Sequence, residues 1–403
     1  MNKIAIIGAG ASGLFCSIIL AQKGYCVTLL EKNTKAGRKI LASGNGKCNI
    51  TNTNLSLNNF NTSSNNILIK DIIEQMNFKK LKEIFSNMGL MMVNGDGTKM
   101  YPMSMQASSV SEILYDTALH NGVRFIFNEE IQNIHYKNEE YILNNKYISK
   151  YLILANGSNA MLKLGSSDSG YKFAKQFNHK IINLLPSLVQ LKSKDKSIYN
   201  LSGVKVNAAV TLVINKKNIK TVIADVLFTK YGLSGNSILE LSRKTAIALS
   251  KNNNVVIHID LMPEYSNKKL FELLQNRKQI LKNKESNFLL KSIINDKLIN
   301  FVFKNSNIKS KSIEKLTKQD ISNIIYCLKN VNVNVYDTNG FENAEVISGG
   351  VDLNDINTKT MESKKQKNLY FCGEILDVDG DCGGYNFHWA WSSAYNLANN
   401  FKK

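Results

Sequence analysis

Gly8, Gly10 and Gly13 stand in the order G-x-G-x-x-G, directly after the apolar run Lys3–Ile7 and at the head of an apolar stretch from Ser12 to about Gln22. Glycines so spaced clear a backbone turn of side chains, and the N–H groups of the helix that follows offer phosphate oxygens the positive end of its dipole. The first glycine makes the turn, the second admits a pyrophosphate and the third lets helix pack on strand. Gly24 stops the helix, the strand Tyr25–Leu30 follows, and Glu31 ends it eighteen residues after Gly13, where a carboxylate accepts from ribose hydroxyls. Ser12 in the turn and Lys32 beside Glu31 join this set, which predicts a βαβ unit cradling an adenine dinucleotide.

The rest of the chain bears on which dinucleotide. A nicotinamide fold continues with further βαβ units, whereas residues 35–52 form a long Gly-rich loop with Arg38, Lys39, Lys47, Cys48 and Asn49. A second Gly-rich segment, Cys372-Gly373-Glu374 followed by Asp377, Asp379 and Gly380, lies near the far end. That two-ended layout suits FAD, with the later glycine turn at the ribityl and pyrophosphate region. Only one full fingerprint is present, so NAD(P)H, as electron donor, is expected to dock transiently. The six cysteines show no C-x-x-C and no paired spacing, so they read as thiols with no metal site. No apolar run approaches the roughly 20 residues of a membrane span, which points to a cytoplasmic protein.

The elements that must position these residues are legible as periodicities. Helical spacing runs through Leu68, Ile72, Ile73 and Met76 and again through Val110, Ile113, Leu114 and Ala118, broken by Asn94-Gly95-Asp96-Gly97. Short β-rich runs at Val123–Phe127, Ile131–Tyr136, Tyr141–Leu143 and Tyr151–Ala155 predict a meander returning to the main sheet. Residues 52–66 read as a loop. From Pro186 the chain turns β-rich, with strands at Leu188–Leu191, Val204–Ile214, Thr221–Phe228 and Val255–Leu261 and a helix at Asn236–Ser250. Between Pro263 and about Asn330 it is helical and basic, with Thr317 and Asp320 as a capping pair. Strands at Val331–Tyr336, Ala344–Ile347 and Leu369–Phe371 precede a final helix.

Longer motifs carry a resemblance. Gly37-Arg38-Lys39, Ser43-Gly44-Asn45-Gly46-Lys47-Cys48-Asn49-Ile50-Thr51-Asn52, Phe228-Thr229-Lys230-Tyr231-Gly232-Leu233-Ser234-Gly235, and Gly373 to Gly380 continuing through Gly383-Gly384-Tyr385-Asn386-Phe387-His388-Trp389 resemble the bacterial BaiN/RdsA-like flavoproteins, the aminoacetone-oxidase-like group, over nearly the whole chain. The sequence departs from that pattern at Lys47, Lys230 and Asn236, where the family often has arginine, histidine and proline, and at Ala155-Asn156-Gly157-Ser158, which replaces a Thr-Gly-Gly turn. The resemblance implies an α/β fold: an FAD-binding, glutathione-reductase-like Rossmann-type domain (1–185 and 344–403). A β-barrel-like domain (186–262 and 331–343) and a basic helical insertion (263–330) interrupt it. It extends the FAD contacts to Arg38, Lys39, Ser43, Gly44, Asn45, Cys48, Asn49, Ala155, Gly157, Gly373, Glu374, Asp379, Gly384, Tyr385 and Asn386.

The resemblance also implies a reductase, of small molecules such as bile-acid intermediates in some members and of a large-subunit ribosomal RNA uridine in one branch. Charge bears on that choice. Fifty-one Lys and Arg against 32 Asp and Glu leave +19, with +9 in residues 151–264 and +9 in 265–335, a field suited to RNA phosphates. Only four of these cations are arginine, and the chain is Asn-rich with three prolines, so codon bias inflates the count. The preferred reading is hydride transfer from reduced FAD to C6 of uracil with an enzyme acid protonating C5. Cys48, Tyr385 and His388 are the candidate acids, and Tyr101, Tyr231, Tyr385, Trp389 and Trp391 could stack a base. The alternatives are a small-molecule substrate and a flavin-binding ribosome factor without turnover. Oligomeric state is not readable from these residues.

Overall fold

The computed structural model describes residues 3–95 and 97–402, so Asp96 of the expected turn lies outside the described residues. The chain divides into two units, Met1–Pro186 with Ala344–Lys403, and Ser187–Asn343.

The first unit is built on a seven-stranded sheet whose middle is parallel: Leu369–Phe371, Tyr151–Leu154, Lys3–Ile7, Cys26–Leu30 and Arg124–Ile126 in spatial order. Ile4 lies between Tyr151 and Val27, and the apolar runs of the central strands, Ile4 to Ile7 and Tyr151–Leu154, are buried throughout, as a parallel sheet covered by helices requires, while the edge strand Arg124–Ile126 is partly exposed. The helix Ala11–Gln22 is apolar nearly all round because it is enclosed, packing against Tyr385–Asn400 and Ala107–His120. A three-stranded antiparallel meander (Ile134–Lys137, Glu140–Leu143, Tyr147–Ser149) decorates it.

The second unit is a closed six-stranded barrel with a helical segment. Along Val331–Thr338, Val331, Val333 and Val335 point into the barrel while Asn332, Asn334 and Tyr336 point out, the period-2 pattern of a half-buried strand. The helices Asn267–Ile280, Asp296–Asn305 and Lys318–Lys329 enclose an apolar cluster of their own around Leu274, Val302, Ile321 and Leu328. The capping pair forms: Asp320 N donates to Thr317 Oγ1 (3.1 Å) and Thr317 N to Asp320 Oδ2 (2.7 Å).

Some boundaries move for identifiable reasons. The expected strand Leu188–Leu191 is displaced to Leu191–Ser193 because Leu188 adopts a left-handed φ of 48° that ends Ile181–Ser187. Ala344–Ile347 shifts to the fully buried Val346–Val351. The loop expected at 52–66 is partly a ladder: Thr51–Asn52 pairs with Met100 and Lys99, and Phe60–Asn61 pairs with Asp379–Gly380. Buried Phe60 anchors it. No helix among the described residues is long and apolar enough to cross a membrane.

Candidate active site

The first glycine turn closes on its own backbone. Gly8 has φ +105°, and a Cβ there would meet the carbonyl oxygen of Ala155 at 2.5 Å; one on Gly13 would overlap the carbonyl oxygen of Gly8. Those two glycines are demanded by packing between strand and helix. Gly10 differs, with ordinary φ and open space where its Cβ would project, directly at the start of the helix Ala11–Gln22. Space is thus reserved beside free helix-terminal N–H groups, the cradle a pyrophosphate fits.

Glu31 both faces and builds this turn. Its Oε2 accepts from Ala9 N (2.8 Å) and its Oε1 from Asn33 N (2.9 Å) and Asn33 Nδ2 (2.6 Å). Oε1 thus has two donors and Oε2 one, so Oε2 has capacity for a further donor such as a ribose hydroxyl. Asn33 Oδ1 in turn accepts from Arg38 Nη1 (2.6 Å), which aims Arg38 at this corner, with Lys163 O at 3.5 Å from Nη2. Asn33 carries no motif, and the sequence offers no signal for it.

The distant glycine segment reaches the same place. A Cβ on Gly373 would strike Ser12 Oγ, so the later turn lies against the N-terminus of the first helix. Gly373 is gripped on both sides: its N–H donates to Ser393 Oγ (2.9 Å) and its carbonyl accepts from Trp389 Nε1 (3.1 Å). Lys39 Nζ meets Glu374 Oε2 at 2.6 Å, joining the early loop to the late one. Asn386 clamps the Gly380 peptide, donating to its carbonyl and accepting from its N–H, both at 2.8 Å. Asp379, buried, pairs its strand with Asn61. Gly384 (φ +93°) packs so closely on Asn49 and Thr51 that a Cβ would lie 2.7 Å from Asn49 Oδ1.

Between these, Gly44, Asn45 and Gly46 are exposed with φ of 56°, 54° and 80°, and the chain then dips inward at Cys48 (φ 58°). The sequence placed Cys48 in an open cationic loop; its side chain is instead fully buried while Lys47 stays exposed. Burial pushes its thiol up to about 12, against the Ser43 hydroxyl, which lowers it. His388 is also sealed. Burial drives its imidazole down to about 4, opposed by the Met76 backbone, so it is neutral near pH 7, sharing a 2.8 Å hydrogen bond between Nδ1 and Thr51 Oγ1. The Tyr385 hydroxyl donates to Asn54 O (3.0 Å).

Trp389 and Trp391 are fully buried, the Trp391 indole donating to Ile50 O (3.0 Å), so neither is a platform for a base. Tyr231 is exposed and lies in the second unit. Ala155 abuts Gly8, whereas Gly157 (φ +70°) borders open space and Lys32 is half-buried. Asn156 and Tyr171 are additions that sequence reasoning missed: Asn156 Oδ1, next to Gly8, and the Tyr171 hydroxyl are buried without partners among the described residues, as is Asn49 Oδ1. Burial, reinforced by the Glu374 and Asp377 carboxylates, pushes the Tyr171 hydroxyl well above its ordinary range. Unsatisfied acceptors around a Cβ-free cradle fit a polar ligand with donors of its own.

A Rossmann cradle completed by a second glycine turn from the end of the chain defines an FAD-dependent oxidoreductase. The chain matches the family described as HI0933-like protein Rossmann domain over residues 2–400, and it belongs to that family. It is 30% identical over 98% of both chains to the 3-dehydro-bile acid Δ(4,6)-reductase of Clostridium scindens. It is 31% identical, over 98% of this chain and 96% of the other, to the ribosomal RNA dihydrouridine synthases of Haemophilus influenzae and of Escherichia coli. Among solved structures, 3-ketosteroid-Δ4-(5α)-dehydrogenase from Rhodococcus jostii (TM-score 0.51, 11% identity, 98% of this chain and 97% of that one) shares the fold. So does 3-ketosteroid Δ1-dehydrogenase from Sterolibacterium denitrificans (TM-score 0.51, 12% identity, 99% of each).

Proposed function

We propose that this flavoprotein reduces a uridine of large-subunit ribosomal RNA to dihydrouridine, with NAD(P)H as transient electron donor. The observation that carries the reading is the charge of the second unit: residues 187–343 hold 25 Lys and Arg against 12 Asp and Glu, a net +13 of the chain's +19. A field concentrated on a unit without the dinucleotide cradle suits a polyanion, and a small-molecule reductase has no use for it. Sequence identity does not separate the two substrate classes, because the bile-acid and ribosomal RNA relatives are equally similar.

Bound FAD would supply the hydride. The chain's residues would hold its pyrophosphate at Gly10 and Ser12, its ribose at Glu31 and its ribityl side at Gly373 and Glu374. Of the three acids, Cys48 and His388 are sealed and poorly matched to proton donation at neutral pH. Tyr385, buried next to the Gly383-Gly384 turn with its hydroxyl on Asn54 O, is the donor we propose. Chemistry on a stacked base is blocked, so the target uridine must be unpaired or flipped.

The test is the dihydrouridine content of ribosomal RNA, by nuclease digestion and mass spectrometry, with and without the gene. One dihydrouridine should vanish on deletion, return with the intact gene, and fall at least about a hundredfold in rate with Tyr385→Phe. An unchanged content would sink the RNA reading and leave the small-molecule reductase standing.

A further inference from the structure

The barrel carries a concave patch that the flavin site does not use. Three adjacent strands, Lys205–Ile214, Val255–Asp260 and Val331–Thr338, are in register so that Val213 faces Val256 and Val256 faces Asn334, while Thr211, His258 and Asn332 form the next row. Over this outward face lies a cleft of about 440 Å³ within the second unit. Its floor is apolar, from Val213 and Val256, and its walls are amides, from Asn218, Asn254, Asn332 and Asn334. Lys216 and His258 complete it, and among the described residues no carboxylate lines it.

Lys216 occupies a demanding position. It is the second residue of a two-residue hairpin, Asn215-Lys216, with φ of 49° and 66°, where glycine avoids a cost of about 1–2 kcal/mol. Among the described residues its ammonium has no hydrogen-bond or ion-pair partner, so its charge is unspent. Asn334 gives its N–H groups to Asp195 and keeps its acceptor, and His258 Nε2 is held at 3.2 Å by Asn330.

We propose that this cleft takes one unpaired nucleotide of an RNA strand, an inference that rests on the ribosomal RNA reading above. The volume falls within the roughly 300–1,000 Å³ of small-ligand sites. Asn218 and Asn254 offer a donor and an acceptor each to the edges of a base splayed out of its helix, Asn332 and Asn334, whose amide N–H groups already serve Asn330 and Asp195, offer acceptors, the apolar floor accepts the base's face, and a lone lysine answers a phosphate. The same face continues to Tyr336, half exposed, with Lys194 over its ring at 4.9 Å, a place for a neighbouring base to stack. A duplex is excluded as occupant because its base edges are paired and its deep groove is closed to side chains.

The experiment uses the full flavin-loaded chain with two fluorescent probes of about 12 nucleotides, a uridine-rich single strand and a duplex, at fixed salt. Asn218→Leu with Asn254→Leu, which leaves charge unchanged, should weaken single-strand binding about tenfold and duplex binding less than twofold. Lys216→Gln should lower the slope of log K against log salt by about 1. On the unaltered protein, 4-thiouridine cross-links should fall in residues 211–218, 254–258 and 332–336. Unchanged single-strand affinity with cross-links elsewhere, in a protein that still makes dihydrouridine, overturns the cleft and spares the RNA reading. A wild-type chain that binds neither probe removes both.

Discussion

In the first unit Lys39 and Glu374 meet at 2.6 Å, Glu31 accepts from both Ala9 and Asn33 and Asn386 clamps a peptide, whereas in the second Lys216 has no partner among the described residues and Asn332 and Asn334 stand outward on a strand. The first arrangement is preorganised: polar groups fix one backbone path so that a cofactor meets ready-made donors. The second leaves the Lys216 ammonium and the Asn218 and Asn254 amides without partners among the described residues and engages Asn332, Asn334 and His258 only through Asn330 and Asp195, a more open surface suited to a flexible, hydrated polymer. A site for a tightly held group and a site for a passing one therefore differ in how much of their hydrogen bonding is already consumed.

Gly13→Ala strikes the preorganised side hardest. Its methyl would overlap the Gly8 carbonyl, so we expect a loss of about 3 kcal/mol or more and little soluble protein, read by thermal melting. Gly10→Val separates fold from ligand. Open space lies where its side chain would go, so stability should change by less than about 1 kcal/mol while FAD affinity, followed by flavin fluorescence, drops at least about a hundredfold. Retained flavin would show that Gly10 does not border the pyrophosphate and would dissolve the contrast.

Acid should also distinguish the units. His388 titrates near 4 folded and near 6.5 unfolded, so between those values the unfolded chain binds more protons. Stability is flat above about pH 6.5 and declines as pH falls toward 4, by on the order of 3 kcal/mol, and His388→Gln should remove that part of the slope. Equal slopes in the two proteins would mean that His388 is not sealed. The smallest effect belongs to the second unit: Thr317→Val removes the cap of Lys318–Lys329 and should cost about 1 kcal/mol, seen as faster hydrogen exchange confined to that helix.

What could be read in advance follows the same division. The turn at Gly8–Gly13, the strand ending at Glu31 and the alternating strand at 331 are local patterns, so sequence spacing carries them. The partners of those residues are not local. Thr51 finds His388, Ser12 meets Gly373 and Lys39 finds Glu374 across more than 300 residues, and nothing in either segment announces the other. Cys48 misled for a related reason: its neighbours are exposed cations and glycines, and only the left-handed turn shows that the chain carries it inward. Asn33, Asn156 and Tyr171 lie outside every motif and became visible through contacts or orphaned atoms alone.

The order of strands in the main sheet also constrains how the chain is made. Tyr151–Leu154 pairs on one side with Lys3–Ile7 and on the other with Leu369–Phe371, and the whole second unit is encoded between these partners. At roughly 5–20 residues per second, a nascent chain waits on the order of 10–40 s with that inner edge bare. A bare parallel edge is a template for wrong pairing, so the barrel and its helices are synthesised while the sheet whose sequence they interrupt stays unfinished. The grip on Gly373 comes later still, from Trp389 and Ser393 in the last helix, so the second glycine turn is fixed only once the end of the chain has been made.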